Sequence, residues 1–156
     1  MHANKDVGQR QCGVYQPTRV ISASYGEAEA DLPIRYTKRQ CNEWMKLALQ
    51  GHTVLFASGD YGVGSFVGDG AKNGCYKSNR HVFNPQYVSG CPWVTSVGAT
   101  ALYPGQTVLD AESAMKVDLG PGAHKFASSG GFSNYFPRAW YQEAAVSEWF
   151  QNHDPG

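Results

Sequence analysis

The strongest constraint on the fold is a short apolar run, Thr53–Ala57, that ends at Ser58-Gly59-Asp60-Tyr61-Gly62. Valine, leucine and phenylalanine in an unbroken run favour a strand buried on both faces of a sheet. Gly59 and Gly62 allow a sharp turn directly beyond the strand, with a positive φ where the turn requires it. Asp60 is therefore either a solvated turn residue or an ionisable group that the strand delivers to a cleft.

A second apolar run covers residues 20–24 and also ends at a turn, Tyr25-Gly26. Between the two runs, apolar residues recur at helical spacing. Asp31 with Pro33 marks the start of this helix and Gly51 its end, which is the expected order of an acidic cap, an early proline and a terminal glycine. The sequence therefore predicts strand, helix and strand.

Such a unit is normally a right-handed crossover between parallel strands, so the carboxyl ends of both strands lie at one edge of the sheet. Ligands bind at this edge in open parallel sheets. Tyr25-Gly26 and Gly59-Asp60 are therefore predicted to share one crevice. A third strand at 93–97 is expected to add in parallel, with short edge strands within 102–129 and an amphipathic helix at 144–152.

Composition narrows the functional classes. Thirteen Lys and Arg balance thirteen Asp and Glu, so no charge field favours nucleic acid or an anionic membrane, and no apolar run is long enough to span a bilayer. The 156 residues are about one domain. Only 17% of residues are charged, which is typical of secreted proteins. Residues 1–6 lack the apolar core of a signal peptide, so a truncated chain is expected.

The four cysteines, Cys12, Cys41, Cys75 and Cys91, form no C-x-x-C motif, which favours disulfides over a zinc cluster. Cys75 and Cys91 enclose a loop rich in Ser, Asn, Gly and Tyr, and a disulfide between them would contribute about 3 kcal/mol. We expect that pair. Cys41 lies on the apolar stripe of the predicted helix, either as a buried thiol or paired with Cys12.

The other candidate motifs give weaker support for a function. Residues 62–68 imitate a phosphate-binding loop, but the last glycine is one position late and no helix pattern follows. Glu27 and Asp31 stand four apart, yet they straddle the turn before the helix, and Asp31 is better explained as its cap. The chain contains no G-x-S-x-G elbow and no Gly-Thr-Ser, so it shows no nucleophile. Residues 128–133 form either a tight turn with an aromatic anchor or a close backbone approach to a ligand.

Four segments in order carry a family resemblance: residues 21–26 (ISASYG), 57–64 (ASGDYGVG), 91–100 (CPWVTSVGAT) and 129–138 (SGGFSNYFPR). Together they resemble the sedolisin family of serine-carboxyl peptidases, and residues 39–43 look most like its fungal secreted tripeptidyl peptidases. The likeness runs over nearly the whole chain. It divides the chain into an N-terminal extension at 1–11, a partial peptidase domain at 12–152 and a tail at 153–156.

The resemblance implies a subtilisin-like α/β fold with a parallel sheet and flanking helices, and cleavage of peptide bonds at acid pH. The family site has a serine nucleophile, a glutamate base, a supporting aspartate and an oxyanion-hole aspartate. Only the last of these maps onto this chain, at Asp60. Residues at the neighbouring strand ends are expected to line the substrate groove, namely Ser24, Tyr25, Gly26, Ser58 and Gly59. For Tyr25 and Gly26 the alternative is a purely structural turn.

The departures from the family are equally informative. Family members carry the glutamate and its aspartate upstream of Cys12, and the nucleophile and a calcium loop downstream of Gly156. Calcium is therefore expected for the full-length family domain, with no ligands in this chain. The resemblance implies a secreted protein, with a peptide or protein substrate and the missing flanking segments of its own domain as partners. The 156 residues alone are predicted to be inactive.

Two other classes of function stay open. A non-catalytic subtilisin-like module would bind peptides or another protein through the same crevice. A small extracellular carbohydrate-binding domain would use the four tryptophans, and substitution of Trp93 and Trp140 would test it. The second alternative is weaker, because Trp44 and Trp149 lie on apolar helical faces and are expected in the core.

Overall fold

The computed structural model describes residues 13–66, 74–79, 81–118 and 125–153. Its centre is a parallel sheet of three strands, β1 (Val20–Ala23), β3 (Thr53–Ala57) and β5 (Thr95–Val97), in the order β1-β3-β5. The two predicted parallel strands and the third are confirmed. The third begins at Thr95 and not at 93, because Pro92 and Trp93 form a turn in which Val94 donates to the carbonyl of Cys91.

Helix α1 (Ile34–Leu49) connects β1 to β3, as predicted, and packs on one face of the sheet. Pro33 is its N-cap residue, and Gly51, with φ of +83°, follows its end. The prediction that Asp31 caps the helix is wrong. Asp31 closes a separate 3₁₀ turn (Glu29–Asp31), and the N-cap position of α1 is taken by Pro33, with no side-chain hydrogen bond at the cap.

The hydrophobic core lies between α1 and β3. Val54 and Phe56 are buried there, and the ring of Phe56 meets Trp44 edge to face at 5.3 Å. Burial of one such side chain contributes about 1.5–3 kcal/mol. The opposite face of β3 carries Leu55, which is only half-buried. Within the described residues, β3 is therefore buried on one face and not, as predicted, on both.

The described residues also form three separate pairs of short antiparallel strands, and the short strands expected within 102–129 are among them. They are β2 (Glu27–Ala28) with β4 (Gln86–Tyr87), β6 (Thr100–Ala101) with β7 (Ser113–Ala114), and β8 (Lys116–Asp118) with β9 (Lys125–Ala127). The predicted tail helix is α2 (Glu143–Asn152). Trp44 packs in the core as predicted, but Trp149 on α2 is half exposed and stacks on His153. Neither helix of the described chain has the length and apolar character of a membrane span.

A disulfide joins Cys41 to Cys91, with Cα atoms 5.6 Å apart. The predicted Cys75–Cys91 and Cys12–Cys41 pairs are therefore wrong, because each cysteine forms one such bond. The physical reason is the crossover. It places Cys41 on the buried side of α1, where the turn before β5 brings Cys91 alongside, and both residues are at most 2% exposed. Cys12 and residues 1–11 lie outside the described part of the chain.

Candidate functional site

Asp60 lies at the carboxyl end of β3, beside the end of β1. The parallel register pairs Ala23 with Phe56, so the residues that follow each strand, Tyr25-Gly26 and Gly59-Asp60, emerge at the same edge. Gly59 has φ of +108° and Gly62 +64°, which confirms the sharp turn around Asp60. The Asp60 side chain is exposed, and no donor from the described residues hydrogen-bonds its carboxylate. The group is therefore available to a ligand.

The stretch after β9 holds this turn in place. Ala127 donates to the carbonyl of Asp60 at 2.9 Å, and Ser129 donates its backbone N–H to the carbonyl of Gly59 at 3.1 Å. In return, the hydroxyl of Ser129 accepts the N–H of Tyr61 at 3.0 Å. These bonds lie on both sides of Asp60, so the backbone that carries its carboxyl group is fixed.

Ser128 holds the end of β5 in the same way. Its hydroxyl accepts the N–H of Ala99 at 2.8 Å, just beyond the end of that strand. A Cβ added at Gly98 would lie 2.8 Å from the same oxygen, so the glycine permits this close approach. The hydroxyls of Ser128 and Ser129 thus fasten two neighbouring strand ends. The predicted tight turn at residues 128–133 is wrong, because this stretch has no turn and its backbone bonds to distant residues instead.

Gln86 occupies the space next to the two strand ends. An added Cβ at Gly26 would overlap its Oε1 atom, and one at Gly59 would lie 2.7 Å from Oε1. Both glycines therefore permit this close approach of the Gln86 side chain. Sequence reasoning missed Gln86, because its position depends on the two-residue pairing of β2 with β4, for which the sequence has no periodic pattern.

The other predicted groove residues differ in exposure. Tyr25 is 69% exposed and stands at the rim of a hollow of about 360 Å³, which is lined mainly by apolar side chains, including Tyr36 and Trp44. Ser24 is exposed, whereas Ser58 is buried and donates its N–H to the carbonyl of Val97 at 3.0 Å. Whether any of them contacts a substrate stays a prediction.

Glu29 is a second residue that the sequence pattern did not single out. It is 1% exposed and accepts hydrogen bonds from the Asn134 backbone at 2.7 Å, the Asn134 amide at 3.0 Å and the Ser133 hydroxyl. Glu27, two residues earlier, is exposed. Glu29 therefore ties the segment that follows the glycine-rich stretch to the turn before α1, and its role is structural.

Asn84 extends this support. It is completely buried, accepts the N–H of Ala30 at 3.1 Å and donates to the Ser65 hydroxyl at 2.8 Å. Ser65 in turn lies five residues after Asp60. Glu29 and Asn84 are thus the buried centres of a polar network that reaches Ser65 on one side and Asn134 on the other.

Two tyrosines near this network have pKa values above that of a free phenol. Burial, with a smaller effect of Tyr36, raises the pKa of Tyr87 to about 12, and its hydroxyl donates to the carbonyl of Thr37 at 3.0 Å. Burial first, then the hydrogen bond from Tyr76, also raises the pKa of Tyr135. Both phenols therefore stay neutral over the whole acid range and act as hydrogen-bonding supports.

Within the described ranges, no group of three or more His, Cys, Asp or Glu side chains could hold a metal ion. The phosphate-loop imitation at 62–68 lies partly outside these ranges.

Comparison with known proteins identifies relatives of the whole chain. It is 52% identical over 149 residues to Aorsin of Aspergillus oryzae and 48% identical to Tripeptidyl-peptidase sed1 of Aspergillus fumigatus, covering 95% and 96% of this chain. Each alignment covers 22% of the relative, so the chain spans about a fifth of the length of the curated relatives it matches. No family model matches the chain.

A solved structure agrees with these relatives. Pseudomonas sedolisin, a serine-carboxyl proteinase complexed with two molecules of pseudo-iodotyrostatin, matches with a TM-score of 0.64 and 26% identity, over 81% of this chain and 33% of that chain. The fold and the relatives together define part of a subtilisin-like α/β domain of the serine-peptidase class. More narrowly, the chain belongs to the sedolisin family, with fungal tripeptidyl peptidases among its relatives.

Proposed function

We propose that this chain, over residues 12–152, is part of the catalytic domain of a secreted, acid-acting serine peptidase, either a tripeptidyl peptidase or an endopeptidase. Asp60 is its oxyanion-hole residue. The observation that carries the proposal is the position of the Asp60 carboxyl group, exposed at the carboxyl edge of β3 and next to Tyr25-Gly26.

The chemistry follows from that position. In an acyl-enzyme mechanism a serine attacks the peptide carbonyl, and the carbonyl oxygen becomes negative. A protonated Asp60 would donate a hydrogen bond to this oxygen, which requires acid pH. The backbone of its turn is already fixed by Ala127 and Ser129, so little reorganisation is needed in the transition state.

The nucleophile and its base are not among these 156 residues. Nucleophilic catalysis needs the serine and a base within hydrogen-bond reach of each other. The best-placed hydroxyls, those of Ser128 and Ser129, accept backbone N–H groups. We therefore expect no peptidase activity from this polypeptide alone; serine-dependent cleavage of peptides at acid pH by the purified 156 residues would contradict this.

The buried Cys41–Cys91 disulfide supports secretion. Disulfides persist in oxidising compartments and are rare in the cytosol. Calcium, the cofactor that the family resemblance implies, would be held by residues outside this chain.

The test of the proposed role is Asp60→Ala in the full-length protein, assayed on peptides at acid pH. We expect kcat to fall about 100- to 1,000-fold, as for loss of one oxyanion-hole donor. Asp110→Ala is the matched control, because Asp110 is an exposed aspartate and its side-chain bonds to described residues stay within its own loop, at Thr107. An unchanged kcat in the Asp60 variant would overturn the role. A full-length protein that binds peptides without cleaving them would favour the non-catalytic module.

A further inference from the structure

Gln86 touches both strand ends that form the candidate site. An added Cβ at Gly26 would overlap Oε1 of Gln86, and one at Gly59 would lie 2.7 Å from Oε1 and Cδ and 2.9 Å from Cγ. These are side-chain atoms and not backbone atoms. The end of the Gln86 side chain is therefore in contact with the turn after β1 and the turn after β3 at the same time.

The backbone of Gln86 is held rigidly. It pairs with Ala28 in the β2–β4 ladder, and β2 begins directly after Gly26. Its neighbour Tyr87 is 3% exposed and anchored to the carbonyl of Thr37. Because successive side chains of a strand point to opposite faces, the burial of Tyr87 in the core directs Gln86 to the other side, toward the strand ends.

The amide of Gln86 has unused hydrogen-bonding capacity. It is half-buried, and none of the described residues forms a hydrogen bond with it. A primary amide offers two N–H donors and one carbonyl acceptor. A ligand group that entered between the two turns would meet these atoms, and it would leave them unpaired at a cost if it could not bond to them.

The geometry points to Gln86 as a specificity-determining residue. In the peptidase proposed above, on which this inference rests, its amide lies against the turns after β1 and β3, at the edge of the sheet that carries Asp60. The length of the glutamine limits the size of the substrate side chain that enters. Its donors and acceptor favour an uncharged, hydrogen-bonding side chain over an apolar one of similar size.

The test uses the full-length peptidase with three substitutions, Gln86→Met, Gln86→Lys and Gln86→Ala. Each variant and the wild type are assayed on peptides that differ at one residue, Asn, Leu, Lys or Phe, at each position next to the cleaved bond. Methionine keeps the length but loses the hydrogen bonds, lysine adds a charge that is present at acid pH, and alanine shortens the side chain. Gln16→Lys is the control, because Gln16 is exposed on the stretch that leads to the opposite end of β1.

We expect ratios of kcat/KM to change by about ten- to a hundredfold, the usual range for altered pocket contacts. Gln86→Met loses the preference for Asn over Leu, Gln86→Lys rejects the Lys peptide, and Gln86→Ala gains activity on the Phe peptide. The Gln16 control keeps the wild-type ratios. Where a variant cleaves too slowly, the same peptides are ranked by calorimetric binding.

Two results would overturn the inference, and they are distinguishable. If all three variants rank the peptides as the wild type does, Gln86 does not set specificity, while the proposed peptidase function stands. If the full-length wild type cleaves none of the peptides, the proposed function fails and the assignment of Gln86 fails with it.

Discussion

The hydroxyl of Ser129 accepts a hydrogen bond of 3.0 Å from the backbone N–H of Tyr61, the residue directly after Asp60. Ser129 is 9% exposed, so water does not readily replace this bond. One side chain, 68 positions further along the chain, thus positions the residue to which we assign the oxyanion hole. Ser129 acts through Asp60 and not on a substrate.

Ser129→Ala in the full-length protein is therefore expected to lower kcat clearly while it reduces the stability of the fold only slightly. The lost bond has a net value of about 0.5–1.5 kcal/mol, which shifts the melting temperature by a few degrees. A turn that is no longer held costs transition-state stabilisation, so kcat falls while KM changes little. Ser129→Thr keeps the hydroxyl and is expected to restore part of kcat. Equal activity of the alanine and wild-type proteins would contradict the positioning role.

Asp60→Asn keeps a hydrogen-bond donor at this position but removes the group that ionises. A carboxyl group has to be protonated to donate a hydrogen bond, whereas an amide donates at every pH. We expect the asparagine variant of the full-length protein to retain more activity than Asp60→Ala, and its kcat to decline less as the pH is raised. The measurement is a kcat profile from acid to neutral pH for the three proteins. Parallel profiles for wild type and Asp60→Asn would show that another group sets the pH dependence.

Much of the fold could be predicted from local patterns. The apolar runs before Tyr25 and Asp60 and the helical spacing between them are continuous signals, and the parallel β1–β3 pair with its crossover helix follows from them. The turn glycines Gly59 and Gly62 were equally readable, since a sharp change of direction after a buried strand requires positive φ.

Long-range pairings could not be predicted in the same way. The Cys75–Cys91 prediction relied on proximity in sequence, but the crossover brings Cys91 to Cys41 across 50 positions. Glu29 and Gln86 carry no periodic signal, because their contacts, to Asn134 and to the two turn glycines, depend on the assembled tertiary structure. Of the candidate site, Asp60, its neighbours and the stretch 128–133 were visible in the sequence, whereas Glu29 and Gln86 were not.

Gly26→Ala tests the contact with Gln86 directly. The added methyl group would overlap the Gln86 amide, whose flexible end is the nearest obstacle. We expect Gly26→Ala to destabilise the full-length protein by about 1–3 kcal/mol, as for overpacking, and Gln86→Ala to relieve most of this loss. Gly59→Ala is the contrasting variant, because its φ of +108° remains strained when Gln86 is shortened. Strictly additive melting shifts for Gly26→Ala and Gln86→Ala would mean that the two residues do not touch.

Glu29→Ala is expected to be strongly destabilising. It removes the acceptor that the Asn134 backbone N–H, the Asn134 amide and the Ser133 hydroxyl share, and each of the three lost hydrogen bonds has a net value of about 0.5–1.5 kcal/mol. Thermal unfolding of the full-length protein measures the effect. Glu27→Ala, an exposed carboxylate two residues away, is the control and is expected to change stability by less than about 0.5 kcal/mol. Comparable melting temperatures for the two variants would refute the structural role of Glu29.

The Cys41–Cys91 disulfide gives a prediction about connectivity and stability together. Its loop of about 50 residues corresponds to about 4 kcal/mol in the chain-entropy model, so the double substitution Cys41→Ala and Cys91→Ala should markedly lower the melting temperature. Reduction of the wild-type protein should lower it similarly. Proteolysis under non-reducing conditions, followed by mass spectrometry, should recover one peptide pair containing both cysteines. A pair that links Cys75 to Cys91 instead would contradict the packing of α1 against the turn before β5.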